Sequence, residues 1–591
     1  MFGWLDRKIK QSAVSRVAAA DTNQHEQLTA WQREADALLE AKQYAAARVL
    51  YERILAVVPN DLYVIYQLAG ALQSAGELGA AAQVCDTGLT LSPQQAGLLS
   101  RRASIARSRG QYVLALETYQ TLKSLHPEFP FIDAMIADQL ALLGRGAEAV
   151  DAFNLALAAN PENAQIQSDR LFVLNYFGTM TRHQIFEEHR KWGEEHESVL
   201  RAGWYIHSQS RDPDRRLRVG YVSPDLRQHA VAYFIEGVLR NHDRANFQIH
   251  AFDVSPVRED RVTLRLKQFV DQWHRLGGQS DEEIAHYIRQ REIDILVDLS
   301  GHTAHNRLLV FARRPAPIQI GWFGYMNTTG LTAIDYRFTD ATLDPPGHSE
   351  QFYTEKLYRL PGAACFQPDA ESPEVGPLPA LSNGFVTLAS LNQWTKVTQE
   401  TKEVWARILV SEPTTRLKVF AGGGDDQAVR ERIVADFVRL GVHEARIKVT
   451  GFRPLSVFLQ SLNQVDLALD PFPYGGGTTT LHSTWMGVPM IALQTDSELG
   501  RSSPAILNAL GLGELVSVTT AAYFSVAAEL INDIPRLARY RRELRDRFRR
   551  AGLMDAESVT RSVEAAWRDM WRRYCSEIPR TVNRSAGADI T

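Results

Sequence analysis

A single period dominates the first third of the chain. Prolines stand at Pro59, Pro93, Pro127 and Pro161, each 34 residues after the last. Ala47, Ala81, Ala115 and Ala149 share the register, as do Tyr51, Cys85, Tyr119 and Phe153. Gly76, Gly110 and Gly144 keep the same step, with Lys42 at the corresponding place in the first unit. Such a unit predicts a helix hairpin. The glycine ends the first helix in a left-handed backbone conformation. The alanine lets the two helices approach closely, and the bulky residue four places on lies on the same face. Proline closes the second helix. One hairpin cannot bury its apolar side alone, so the units are expected to stack into a superhelix with a concave groove.

This pattern resembles the tetratricopeptide repeat. It runs from about Gln27 to Asn163, roughly four units, and 164–200 reads as further helix that caps or docks against the stack. A groove of this kind binds extended peptide or another protein. A purely structural spacer is the plainer alternative.

At 591 residues the chain is too long for one hydrophobic core. With 45% apolar and 23% charged residues it has ordinary globular composition, which excludes wholesale disorder. Lys and Arg number 65 against 69 Asp and Glu, so bulk positive charge does not recruit nucleic acid. Three cysteines, Cys85, Cys365 and Cys575, do not make a disulfide framework and fit a reducing cytoplasm. No apolar run approaches the roughly 20 residues that cross a bilayer. The leader, 1–26, sets Lys8, Lys10 and Arg16 among Phe2, Trp4 and Leu5. That composition suits weak contact with a membrane surface, though a frayed amphipathic leader is the simpler account.

Beyond Asp214 the pattern changes to short β-type runs separated by helical stretches. Strands are expected at 218–222, 247–252 and 294–299, with a helix at 281–290, which together imply a parallel sheet covered on both faces. A Pro/Gly-rich acidic stretch, 367–384, reads as a hinge. A second alternating block follows, with strands at 385–388, 417–420, 447–449, 467–469 and 490–493, and a last helix at 556–574, rich in Trp567, Trp571 and Arg and long enough to pack back across the lobe junction. Two such lobes are expected to bind a ligand at the carboxyl ends of their strands.

Four loops carry candidate chemistry. Asp470-Pro471-Phe472-Pro473-Tyr474-Gly475-Gly476-Gly477-Thr478-Thr479-Thr480 joins a strand to a helix. Its glycines free the backbone and its threonines are expected to cap the helix, making an anion cradle suited to a diphosphate. No Walker lysine follows, which disfavours a P-loop nucleotidase; a glycine turn that merely closes a loop is the plain alternative. Asn392-Gln393-Trp394-Thr395-Lys396 sets a lysine at a strand end, where it could neutralise a leaving phosphate. Ser223-Pro224-Asp225 leads to His229, whose imidazole can accept a proton from a hydroxyl or orient it. In Ser300–Arg307, His302 and His305 have no acidic or cysteine partner at metal-ligand spacing and read as a polar cleft-lining loop. Arg313–Gln319 reads as a helix-to-strand turn.

In this order, behind such repeats, the pieces resemble the O-linked N-acetylglucosamine transferases and their SPINDLY relatives. The likeness is carried by Arg216–Asp225 with His229, and by Arg314–Gln319 with Trp322-Phe323-Gly324-Tyr325. Asn392-Gln393 with Lys396, and Gly477-Thr478-Thr479 with Trp485–Pro489, complete it. It implies a helical solenoid followed by a GT-B fold of two Rossmann-like lobes. It also implies inversion at the sugar without a metal ion or other cofactor, and a nucleotide-sugar donor, UDP-N-acetylglucosamine. By the same resemblance Lys396 stabilises the departing diphosphate and Gln393 contacts the nucleotide. Thr478 and Thr479 hold the diphosphate, Phe323 and Gly324 line the sugar pocket, and His229 acts as base or orients the acceptor. Acceptor proteins would lie along the repeat groove and offer a Ser or Thr hydroxyl. Some positions depart from the animal pattern. Gly477 stands in place of a histidine, His482 in place of an acidic ribose ligand, Leu455 and Phe458 in place of a lysine and a histidine, and Met326 in place of a proline. Phe458 could still stack on a base. A SPINDLY-type fucosyltransferase using GDP-fucose and a catalytically silent scaffold are the alternatives.

The expected organisation is a leader 1–26, repeats 27–163, helical cap and linker 164–214, an acceptor-side lobe 215–375, a donor-side lobe 376–578 and a tail 579–591. Monomer and oligomer are equally compatible with it.

Overall fold

The computed structural model describes residues 22–177, 180–204, 207–362 and 364–577. The expected surface contact of the leader concerns residues mostly outside this range, and so does the tail.

The repeats form four hairpins: α1 Thr22–Glu40 with α2 Tyr44–Val57, α3 Leu62–Ala75 with α4 Leu78–Leu91, α5 Ala96–Ser108 with α6 Tyr112–Leu125, and α7 Ile132–Leu142 with α8 Gly146–Ala159. Ala47, Ala81, Ala115 and Ala149 are fully buried, and the ring or thiol four residues on is buried beside each. Each second helix stops two residues before its proline, because the residue preceding proline is pushed out of the helical region. The turns between paired helices contain Gly76, Gly110 and Gly144 at φ of 86°, 74° and 71°. Lys42 holds the same conformation at φ 60° in the first hairpin. A Cβ in that region is strained. Lys42→Gly is therefore expected to raise stability by about 0.5–1 kcal/mol, seen as a higher midpoint in urea unfolding.

Helices α9 Ala164–Leu174 and α10 Arg182–Arg201 follow. They were expected to cap the stack, but from Gln167 onward this segment belongs to the α/β part of the chain. Its buried polar groups find their partners there. His189 Nε2 is 2.6 Å from the Tyr325 hydroxyl, which also accepts from Asn175 Nδ2 at 2.7 Å. His302 was read as lining a cleft; it is instead fully buried, with Nδ1 2.7 Å from the Ser168 hydroxyl and its ring edge-on to Trp192.

The first sheet is wholly parallel, in the order β3-β2-β1-β4-β5-β6-β7. Its strands are β1 Leu217–Ser223, β2 Phe247–Asp253, β3 Gln272–Arg275, β4 Ile295–Asp298, β5 Ile318–Gly321, β6 Tyr336–Thr339 and β7 Lys356–Arg359. β1, β2 and β4 lie where the apolar runs placed them, and the 281–290 helix is present. The short strands β3, β5, β6 and β7 escaped that reading; β3 and β7 are sheet edges with few fully buried positions, so they lack an apolar run. The order reverses between β1 and β4, the position at which open α/β sheets bind ligands. His229 follows β1 there and precedes α11, Ala230–Asn241.

The second α/β lobe supplies parallel strands to both compact units of the chain. β8 Thr387–Ser390, β9 Arg416–Phe420 and β10 Ile447–Thr450 belong with the repeats, in a unit of the residues up to Ile166 together with Phe385–Phe458. β11 Leu467–Leu469, β12 Met490–Leu493 and β13 Val516–Ser517 belong with the first sheet, in a unit of Gln167–Gly384 together with the chain from Leu459. This second unit also holds α12 Thr478–Trp485, α13 Glu498–Ala509 and α14 Ala556–Ser576.

The last helix packs back, as its length allows: α14 inserts Val563, Trp567 and Trp571 into the core built on β1, β2 and β4. Burying two tryptophans there outweighs chain proximity. The supposed hinge, 367–384, is tied down: Arg541 donates to Gly376 O at 3.0 Å, Arg545 to Pro373 O at 2.7 Å and Gln367 N–H to Tyr233 O at 2.9 Å.

Candidate donor and acceptor site residues

In the second unit, the loop after β11 is folded around Asp470. Its buried carboxylate accepts the Gly476 N–H at 2.8 Å, and its carbonyl accepts the Tyr523 hydroxyl at 3.1 Å. The Ser503 hydroxyl, from α13, donates to Gly476 O at 2.6 Å. Tyr474 stacks on Tyr176 with ring centroids 5.1 Å apart. The loop is thus pinned from the turn after α9, from α13 and from the Thr520–Asn532 helix, and it delivers a set start to α12. Capping by the threonine hydroxyls, expected from the sequence, does not occur: the N-cap is Gly477 and no side chain caps it. The first-turn N–H groups of a helix have no partner within it, and Thr478 and Thr479 are only partly buried. A short helix start of this kind attracts an anion through its N–H groups and dipole.

His229 is the N-cap of α11. Its Nδ1 accepts the Val231 N–H at 3.4 Å and lies 3.7 Å from the Asp225 carboxylate. Burial lowers its pKa below the ordinary imidazole value, against the pull of Asp225, so the ring is neutral at pH 7. As acceptor of the Val231 N–H, Nδ1 carries no proton in the neutral ring, which leaves Nε2 as its hydrogen-bond donor. Phe323 packs on Trp322 at 4.4 Å and Phe234 at 5.8 Å. Gly324 is exposed at φ 96°, and a Cβ there would come within 2.0 Å of Leu299 O. His482, expected to touch the donor, is buried between Tyr233 and Phe366, edge-on to each at 5.1 Å, and burial pushes its pKa down to about 4.

Gln393, Lys396 and Phe458 belong to the first unit. β8 runs into buried Asn392, exposed Gln393 and a single turn of 3-10 helix, Trp394–Lys396, in which the Lys396 N–H donates to Gln393 O at 3.0 Å. Trp394 is 4% exposed and lies beneath the Lys402 ammonium at 5.4 Å, itself paired to Asp436 at 2.7 Å. Lys396 therefore belongs to a turn anchored by a buried indole. Phe458 is partly buried, edge-on to Phe420 at 5.4 Å.

Sequence reasoning missed Asp470, Ser503 and Tyr523, which shape the glycine loop, and a buried ion pair beside it. Arg337 on β6 donates to both Glu498 carboxylate oxygens, at 2.8 and 3.0 Å, and to Tyr325 O. Tyr353 donates to Glu498 at 3.0 Å and approaches Asp344 at 3.2 Å. Asp470 stood in the quoted motif and was the one available signal.

The family model for glycosyl transferase family 41 matches residues 171–369 and 379–563, most of the chain. The chain belongs to glycosyltransferase family 41. A tetratricopeptide-repeat model matches 38–101. A family-41 relative, the probable UDP-N-acetylglucosamine–peptide N-acetylglucosaminyltransferase SPINDLY of Oryza sativa, is 36% identical over 432 residues, 72% of this chain and 46% of that protein. The SEC protein of Arabidopsis thaliana, named for the same activity, is 29% identical over 376 residues, 61% of this chain and 38% of that one. The chain thus spans less than half the length of these curated relatives. A solved O-GlcNAc transferase mutant of Thermobaculum terrenum is 32% identical with a TM-score of 0.81, covering 87% of this chain and 98% of that one. The expected fold class, helical repeats followed by two parallel α/β lobes, is the one this family-41 chain adopts. Among the described residues no helix is long and apolar enough to cross a membrane.

Proposed function

We propose that this family-41 chain transfers N-acetylglucosamine from UDP-N-acetylglucosamine to Ser or Thr hydroxyls of proteins, with inversion at the sugar. The observation that carries the reading is the pinned loop at Asp470–Gly477, which holds the start of α12 ready for an anion. In the reaction a hydroxyl oxygen bonds to the anomeric carbon while the bond to the diphosphate breaks. Charge builds on the leaving phosphate. The Lys396 ammonium and the helix start at Thr478 and Thr479 supply the compensating positive charge in place of a metal ion. Gln393 and Phe458 contact the nucleotide, and Phe323 and Gly324 border the sugar. The hydroxyl proton leaves to solvent or to a carboxylate. His229, with its proton on Nε2, orients the acceptor or sugar by donating rather than by accepting. The repeats hold acceptor proteins.

The donor is tested by thermal unfolding with UDP and with GDP. A ligand at 100 times its dissociation constant stabilises the fold by about 2.7 kcal/mol, so UDP is expected to raise the melting temperature clearly and GDP is not. A rise with GDP alone would replace this donor by a GDP sugar such as GDP-fucose. A rise with neither would remove the transferase reading in favour of a silent scaffold.

His229 offers a second check. Its pKa lies below the ordinary imidazole value, so transfer should stay flat through neutral pH and fall only on acidification, as a proton on Nδ1 ends its acceptance of the Val231 N–H and frees the ring from its orientation. His229→Gln keeps a donor, so its transfer should fall only about tenfold and lose that acid limb. A limb unchanged in the variant would assign the titration to another group.

A further inference from the structure

The chain has a second glycine triplet, Gly422-Gly423-Gly424, just after β9, which the donor reading leaves unused. The structure shows what it meets. The turn between α5 and α6 lies so close that a Cβ on Gly110 would stand 2.9 Å from Gly423 Cα, and a Cβ on Gly423 would stand 2.3 Å from Gly110 O. Tyr112, the first residue of α6, covers the same loop: a Cβ on Gly422 would be 3.1 Å from its hydroxyl. The next turn, between α7 and α8, sits on Trp394, where a Cβ on Gly144 would be 3.2 Å from the indole Cδ1 and 3.4 Å from Trp394 O. Gly76 occupies the equivalent turn one repeat earlier at the same left-handed φ, and a Cβ there would meet nothing within 4 Å.

We infer that the third and fourth repeat turns are positioning elements for the donor half: Gly144 seats Trp394, and Gly110 seats the loop after β9, so that the repeat array sets the placement of Gln393 and Lys396. The inference rests on the donor roles proposed for those two residues. The physical reason is that Trp394 lies between them in a three-residue turn. An indole that is buried from above by backbone has no room to shift, and two flanking side chains on so short a turn must follow it. At Gly76 the same residue type serves only the left-handed turn. At Gly110 and Gly144 it also serves contact.

That difference makes the test internal. Gly76→Ala, Gly110→Ala and Gly144→Ala each place an alanine in the same left-handed turn, but only the last two add a wedge. The readouts are hydrogen–deuterium exchange of the 391–397 amides and calorimetric affinity for UDP and for GDP. Gly144→Ala and Gly110→Ala are expected to speed exchange at 391–397 and to weaken the nucleotide that binds the unmodified protein about tenfold. Gly76→Ala should leave both as they are. Should Gly144→Ala fail to fold, Trp394→Phe opens the same contact without backbone strain and should give the same two changes. Equal behaviour of all three alanine variants would overturn the inference. Faster exchange in a protein that binds neither nucleotide would overturn the donor reading and leave the mechanical link in place.

Discussion

Lys396→Ala is expected to lower sugar transfer by about 10²–10³-fold while the protein remains folded. The lysine sits on a turn whose backbone is closed by the Lys396 N–H to Gln393 O bond and whose underside is the buried Trp394 ring. A charge carried on so well anchored a turn needs less reorganisation when negative charge develops on the leaving phosphate, so its effect is expected in the transition state more than in donor binding. The turnover number should therefore fall far more than the affinity for UDP does. Single-turnover transfer from labelled donor, with circular dichroism as the folding control, measures this. Unchanged turnover, or a loss confined to donor affinity, would take Lys396 out of the chemical step.

The second large effect concerns stability. Arg337→Met leaves the Glu498 carboxylate buried beside Asp344, with Tyr353 the one donor left to it among the described residues, and should cost about 3–5 kcal/mol in denaturant unfolding at pH 8. The double variant Arg337→Met with Glu498→Gln should recover most of that loss, because it removes the stranded charge. Burial, aided by Asp344, raises the Glu498 carboxyl from an ordinary 4.5 to about 7 even against Arg337. A carboxyl raised in the folded state binds its proton more tightly there than in the unfolded chain. Its contribution to stability is then complete below about pH 4.5 and is lost as the pH climbs to about 7. Glu498→Gln should flatten that part of the stability–pH curve. An unchanged slope would assign it elsewhere. The pair also bears on the site, since Glu498 opens α13, the helix whose Ser503 holds the glycine loop.

The loop itself shows where reading a sequence stops. Gly475–Gly477 between a strand and a helix could be recognised from residue types alone, because backbone freedom and helix starts are local properties. That Asp470 would turn back to take the Gly476 N–H could not, since it depends on Ser503 and Tyr523 arriving from residues more than 20 positions away. The surroundings of His482 were hidden for the converse reason. A histidine in a helix one turn after the loop looks available until Tyr233 and Phe366 close over it.

What the residues alone determined were features with a local cause: the 34-residue hairpin, its left-handed turns even at Lys42, the strands long and apolar enough to be buried on both faces, and the family. What only the tertiary structure decided was which segment completes which core. Helices α9 and α10 left the repeats for the sheet because their buried His189 and Ser168 needed Tyr325 and His302 as partners. Helix α14 returned to the first sheet because two tryptophans found their cavity there. The Gly110 and Gly144 turns became contacts while Gly76 remained only a turn. Burial and hydrogen-bond satisfaction act through space, and the partners that satisfy them are set by the folded chain as a whole.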